Sequence, residues 1–398
     1  MRLRSWFIIS LVLTIVLAGC ATPEVVATPT ATRTPLPEAT DTPVPPTATA
    51  TPRPTATLPP TAASFVATPF PRDVNPLTGI PVEDEAVLDR IPVAIKVSNS
   101  PEARPQSGLG AADLVFEHYS EGGITRFTTV FLTNEPEQVG SVRSGRLIDI
   151  EVPAMYQAIF GYSGSSAGVK ELIRTSDLFP EYIAAPDFGV GQPTFYRVPQ
   201  AGKAFEHTLF TNPTVLRQLA DDRGINERAE WETYAAFSEQ VPAGGEPASA
   251  FRINYLPGAC TAEWAYDEDA GLWERSMVGR AHIDALTGEQ ITAANVVMVY
   301  ANHIYTDFWE EMIGARSNWK LSIQIQLWGE GTALIWRDGQ VIPGTWKREG
   351  RNDMLTFTYG DGTPLPLKPG NSWIQVVPLD NPTEEVEDGV FVFTPRKM

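Results

Sequence analysis

Glu117, His118 and Glu121, followed by Arg126 and then Arg143, Ser144 and Arg146, form the densest polar cluster in this 398-residue chain. Two carboxylates beside an imidazole have the makings of a general base. Guanidinium groups close by could stabilise the negative charge that develops during hydrolysis. Strand periodicity puts Glu117 and Tyr119 on one face and His118 on the other. The same arginines, together with Arg104, could instead grip a carboxylate or phosphate through paired N–H donors. A third reading has them pair with Asp113, Glu117, Glu121 and Asp149 and do no more than fix loops. Residue types and spacing leave all three open.

Other motifs carry less. Gly164-Ser165-Ser166 opens a helix after a strand, so its backbone amides and the helix dipole could seat an anion, or simply cap the helix. Gly161-Tyr162-Ser163-Gly164-Ser165 is one residue short of a Gly-x-Ser-x-Gly nucleophile elbow, with His207 or His282 available on paper as the base. His282-Ile283-Asp284 could present two metal ligands on one strand face, but His118, His207 and His303 have no matching spacing, so no metal is expected. Asp267-Glu268-Asp269 lacks the further oxygens that calcium needs. No motif calls for a cofactor.

The elements that must position these groups are readable from periodicity. Residues 92–97, 114–119 and 127–132 read as strands, and 154–162 ends as one. Residues 165–174 carry Val169, Leu172 and Ile173 at helical spacing, and 213–223 reads as a second helix. This alternation predicts an α/β domain with a mixed sheet over 73–240. The turn-rich stretch Val241-Pro242-Ala243-Gly244-Gly245-Glu246-Pro247 reads as a linker. Beyond it, short strand-like runs at 251–255, 295–300, 320–328, 333–336 and 373–377 predict a mostly-β domain over 247–398. Asp338-Gly339 and Asp361-Gly362 mark hairpin turns. Eight of the ten Trp fall between Trp264 and Trp373, a density that reads as cross-strand packing. The fold class expected is thus α+β in two parts.

The formal charge of -18 argues against nucleic acid and against binding an anionic polymer by bulk charge, although a local basic pocket remains compatible with it. Only Cys20 and Cys260 are present. Cys260, near the Pro257-Gly258 turn, reads as a small buried residue. Cys20 has another use. Arg2 and Arg4 precede an apolar run that closes on Leu17-Ala18-Gly19-Cys20, the form of a signal peptide ending in a lipobox over residues 1–20. Acyl chains on Cys20, at about 0.8 kcal/mol per buried CH₂, would anchor the chain to the outer face of the cell membrane. Residues 21–72 hold 13 Pro and 14 Thr, too little apolar surface for a core, so they read as a disordered tether. Its reach runs from ~40 Å as a coil to ~160 Å as extended polyproline II.

The stretch Asn99-Ser100-Pro101-Glu102-Ala103-Arg104-Pro105-Gln106-Ser107-Gly108-Leu109 resembles the YerB-like bacterial lipoproteins, a family with N- and C-terminal parts and no assigned chemistry. Glu121-Gly122-Gly123-Ile124-Thr125-Arg126-Phe127, Val139-Gly140-Ser141-Val142-Arg143-Ser144-Gly145-Arg146 and Pro369-Gly370-Asn371-Ser372-Trp373 extend the resemblance. His207 lies in a further matching stretch. Tyr162-Ser163-Gly164-Ser165-Ser166 departs from the His-Ala-Gly-Gly-Ser type of turn expected there, so no imidazole stands at that point. The resemblance implies an anchored envelope protein of two domains.

These readings together predict a non-catalytic binding or scaffold role at the envelope. Wall polymer or an envelope protein would be the partner, with Arg104, Arg126, Arg143, Ser144, Arg146 and His207 as the binding candidates near the cleft between domains. The rival reading is an envelope hydrolase with Glu117 or Glu121 as base.

Overall fold

The computed structural model describes residues 70–398 apart from 313, 317 and 318, and the described residues belong to one compact unit. The signal segment, Cys20 and almost all of the tether lie outside the described residues.

In chain order, the strands of the main sheet in the first half are β1 (Val93–Ser98), β2 (Leu114–Tyr119), β3 (Thr125–Phe131), β4 (Ile159–Gly161) and β5 (Ile183–Ala184). The second half adds β6 (Ala250–Leu256), β7 (Cys260–Asp267), β8 (Leu272–Met277), β9 (Asn295–Glu311), β10 (Lys320–Gln326), β11 (Gly329–Arg337) and β12 (Gln340–Arg348). It closes with β13 (Thr356–Thr358), β14 (Ser372–Pro378), β15 (Thr383–Glu387) and β16 (Val390–Phe393). The helices are few: α1 (Val152–Met155), α2 (Ala167–Arg174) and α3 (Pro213–Arg223), besides short 3-10 turns.

A mixed sheet crosses the molecule in the order β13-β12-β11-β9-β14-β2-β3-β1-β4-β5. Its middle joins the two halves, because β14 lies parallel to both β9 and β2. β1, β2 and β3 are buried along their whole length, which suits strands covered on both faces. A second sheet orders β8-β7-β6-β16-β15, with β6 parallel to β16.

Aromatic side chains fill the space between the two sheets. Trp264 stands edge-on to Trp373 with ring centroids 5.5 Å apart, and Phe251 stacks on Trp336 at 4.1 Å. Burying an aromatic side chain gains roughly 4–6 kcal/mol. The indole N–H groups of Trp264, Trp273 and Trp336 find no acceptor among the described residues, at about 1–3 kcal/mol each, so apolar burial wins. Five of the eight Trp in this stretch, Trp264, Trp273, Trp336, Trp346 and Trp373, are core as the density of rings predicts; Trp309, Trp319 and Trp328 are not.

Local rules explain the helices. Asn212 caps α3 by accepting from the Val215 N–H at 3.0 Å, Pro213 supplies the first turn, and Gly224 ends it at φ 71°. α2 buries Val169 and Ile173. The Asp338-Gly339 turn joins β11 to β12, with both residues at positive φ.

One strand is far longer than periodicity predicts. β9 runs 17 residues, and its second half leaves the main sheet to pair with β10 as a two-stranded arm. This arm reaches over the first half of the chain. Phe308 lies where a side chain on Gly168 would go, and the Glu310 carboxylate stands 3.6 Å from Arg146.

Candidate functional site

β2 places Glu117 in the core, and the partners it meets there are structural. Its carboxylate accepts from Arg275 at 2.6 Å, Thr125 at 2.9 Å, Asn99 at 3.2 Å and the Trp373 indole at 3.2 Å. Glu117 and Arg275 are both without side-chain exposure. A general base needs a free lone pair and a path to substrate. Glu117 has neither.

Glu121, on the turn between β2 and β3, is held by two guanidiniums. Arg126 donates to it at 2.8 Å and Arg146 at 2.7 Å through Nε, with a second, short Arg146 contact to the other oxygen. Burial pushes the Glu121 carboxyl up, but the Arg126 and Arg146 charges more than reverse this and hold it well below the usual carboxylate range. A carboxylate so stabilised takes a proton poorly. Of the sequence alternatives for these arginines, internal pairing therefore describes Arg126 and Arg146.

The opposite face of the same strands carries a sealed polar group. Lys96 donates to Asp149 at 2.9 Å and to Thr128 at 2.9 Å, and lies 2.6 Å from His118 Nε2. His118 Nδ1 faces the Tyr119 carbonyl at 2.8 Å, so Nδ1 carries the proton and Nε2 accepts from the lysine. Burial lowers Lys96 to about 8 against the pull of Asp149, and burial with the Lys96 charge holds His118 well below its ordinary value. Lys96, His118 and Asp149 have no solvent access, which makes the group a strut rather than a reaction centre.

The remaining candidates part company. Arg104 is tied to the Asn99 and Ala259 carbonyls at 2.8 and 2.7 Å, well apart from the Glu121 clamp. The Ser144 carbonyl accepts from Arg126 at 2.6 Å. Arg143 is half-buried, and among the described residues its guanidinium makes no ion pair or hydrogen bond within the chain. Its charge acts on His207, which is buried and whose Nδ1 has no partner among the described residues. Burial lowers the His207 pKa, and the Arg143 charge lowers it further. Arg143 and His207 are the two predicted binding residues that keep polar capacity to spare.

The proposed anion seat at Gly164-Ser165-Ser166 is taken by the chain itself. The Asp187 carboxylate accepts from the Ser165 N–H at 3.3 Å and lies against Gly164, while Ser166 caps α2 without a side-chain bond. Ser163 is not hydrogen-bonded to any histidine among the described residues. His282 instead faces Gln106 at 2.7 Å, and Asp284 accepts from the Gly108 and Gly110 amides at 2.9 and 2.8 Å. These bonds leave neither a triad nor a two-ligand metal edge at that point. Cys260 is buried and unpaired, and burial pushes its thiol up.

Sequence reasoning missed Arg275, Lys96, Asp187 and Glu310. Lys96 did leave a signal: it is the one charge in the apolar run of β1. The other three left none, because each acts on residues distant in sequence.

The family profile described as the N-terminal domain of a protein of unknown function (DUF3048) matches residues 77–226, and its C-terminal counterpart matches 251–374. A protein of Bacillus subtilis (strain 168) named "Putative lipoprotein YerB" is 31% identical over 319 residues, covering 79% of this chain and 89% of that one. This chain belongs to the YerB-like family. The crystal structure of the YerB protein from Bacillus subtilis aligns with a TM-score of 0.63 at 29% identity, over 77% of this chain and 97% of that one. The two profile matches flank the Pro/Gly-rich stretch at 241–247. No helix among the described residues is long and apolar enough to cross a membrane.

Proposed function

We propose that the chain is a lipid-anchored, non-catalytic binding protein of the cell envelope. Acyl groups on Cys20 hold it at the extracytoplasmic face, and the Pro/Thr tether carries the parts at 73–240 and 247–398 towards wall polymer or an envelope protein. The observation that carries this reading is the double guanidinium clamp on Glu121. The two carboxylates best placed to act as bases are both neutralised by arginine, Glu117 by Arg275 and Glu121 by Arg126 and Arg146. Arg143, whose charge acts on His207, keeps an unspent charge of the kind that grips a carboxylate or phosphate. A tether adds to such a module mainly by raising its effective concentration at the surface.

The kinship with a protein named as a lipoprotein supports the anchor. The test is incubation of the full chain, solubilised in detergent, with isolated cell wall, followed by sedimentation and analysis of released fragments. The reading predicts co-sedimentation with no new fragments. Fragments that appear with the chain and vanish with Glu121→Gln would move the assignment to a hydrolase.

A further inference from the structure

Described residues at and between the ends of β9 and β10 line an open cavity of about 440 Å³ against the Gly122 turn and the last residues of the chain. Its walls are Tyr305, Trp309, Arg316, Trp319, Lys320 and Lys397. The two indoles stand nearly perpendicular, with centroids 5.3 Å apart and planes at 79°, and Tyr305 is 47% exposed at the rim. The indoles of Trp264, Trp273, Trp336, Trp346 and Trp373, elsewhere in this half of the chain, are packed out of solvent. Here aromatic rings line an open hollow instead.

The charges are equally out of character. In a chain of formal charge -18, three cations converge on one hollow, and among the described residues none of them has an acid within ion-pair distance. Glu311 is the Cα partner of Lys320 across the arm, yet no ion pair joins them. Arg316 instead sits over the Trp319 ring, 5.8 Å from its centroid. Unpaired cations of this kind are where a carboxylate or phosphate gains most.

We propose that this cavity binds an anionic sugar, a pyranose ring bearing a carboxylate or a phosphate. Aromatic faces carry negative potential and attract the C–H groups on the flat face of a sugar, while Lys320, Lys397 and Arg316 meet its anionic substituent. A perpendicular pair of indoles makes a corner, which suits one compact ring rather than a run of stacked bases. A long nucleic acid would also meet repulsion from the acidic body, whereas a single anionic group placed in the cavity avoids most of it. The cavity borders the Glu121 clamp through Gly122, so the candidate surface extends from the first half of the chain onto the arm. The proposal draws its setting from the envelope-binding reading, but its residues are separate from Arg143 and His207.

The experiment is calorimetric and fluorescence titration of the full chain in detergent with four probes. They are the disaccharide of N-acetylglucosamine and N-acetylmuramic acid, N-acetylglucosamine 6-phosphate, the neutral N-acetylglucosamine tetramer, and inorganic phosphate. Saturable binding of one or both anionic sugars is expected, above that of the neutral tetramer and of phosphate alone, and the stronger of the two identifies the substituent. The double variant Lys320→Glu with Lys397→Glu should weaken binding by about tenfold or more, since it replaces attraction by repulsion. If charge reversal unfolds the arm, Lys320→Met with Lys397→Met should give a smaller loss in the same direction. The proposal fails if the folded wild type binds neither anionic sugar, if phosphate alone or the neutral tetramer binds as well, or if the folded lysine variants keep full affinity. Wall binding that survives these results, yet falls with Arg143→Ala, would overturn the cavity alone and leave the envelope-binding reading in place.

Discussion

Glu117 and Arg275 are 158 residues apart in the chain and meet at 2.6 Å with no side-chain exposure on either. The Arg275 guanidinium also lies 4.5 Å from the centre of the Trp373 ring. This pair ties β2, in the first half, to β8, in the second, at the level where β2 runs beside β14. It replaces a candidate catalytic base with a cross-brace.

A buried pair of this kind is costly to break and cheap to remove whole. Glu117→Leu and Arg275→Met should each destabilise the fold by about 3–5 kcal/mol, because each leaves one uncompensated buried charge. The double variant Glu117→Leu with Arg275→Met should lose less than the sum of its parts. Urea unfolding of the four proteins checks this. Single variants that cost under about 1 kcal/mol would mean that water reaches the pair.

The arm's seat on the first half makes a second prediction. A Cβ on Gly168 would stand 2.7 Å from the Phe308 ring. Gly168→Ala should therefore cost about 1–3 kcal/mol through overpacking, and adding Phe308→Ala should recover part of the loss. A double-mutant cycle reads the coupling. Strict additivity would show that the arm does not rest there in solution.

Acid should weaken the fold through its histidines. Burial holds His118 and His282 well below their ordinary value and His303 at about 4. Unfolded histidines take protons near pH ~6.5, so between there and pH ~4 the unfolded state binds more protons and stability falls with pH. Each imidazole contributes up to about 1.4 kcal/mol per pH unit in that window. Unfolding free energies at pH 7 and 5 should differ accordingly, and His303→Phe should flatten the dependence. A profile unchanged by that substitution would place His303 in contact with water.

Lys96 gives the opposite end of the profile. Its folded pKa of about 8 lies below its unfolded value of about 10.5. Between those values the unfolded chain holds the extra proton, so this residue's contribution to stability rises with pH there. Relative to Lys96→Met, the wild type should gain on the order of 3 kcal/mol from pH 8 to 10.5. An unfolding difference that stays flat over that range would show the lysine charged throughout.

Much of the local structure was legible because it obeys local rules. The Asn212 cap, Pro213 and Gly224 delimit α3, and β2 spans the residues its periodicity predicts. The polar residues Asn302, His303, Thr306 and Asp307 hid the length of β9, since they break off the apolar run that begins at Val296 and a largely exposed arm does not read as a core strand. The parallel pairing of β14 with β2 was not legible, because non-local register leaves no short-range trace. For the same reason the arginine cluster was visible as a cluster, but its division between structural pairs and spare charge was not. Asp187 filling the Gly164 turn, and Arg275 claiming Glu117, are decided by packing between segments far apart in sequence.

The central claim is that this chain binds through spare charge at Arg143 and turns nothing over. The measurement that tests it most directly is the affinity of the full chain for isolated wall, wild type against Arg143→Ala, with Lys170→Ala, at a partly exposed residue whose charge is already paired with Asp187, as a control. The account predicts a loss of about tenfold for Arg143→Ala, the worth of one charged hydrogen-bonding group, and none for Lys170→Ala. Equal affinity for wild type and a folded Arg143→Ala protein would contradict it.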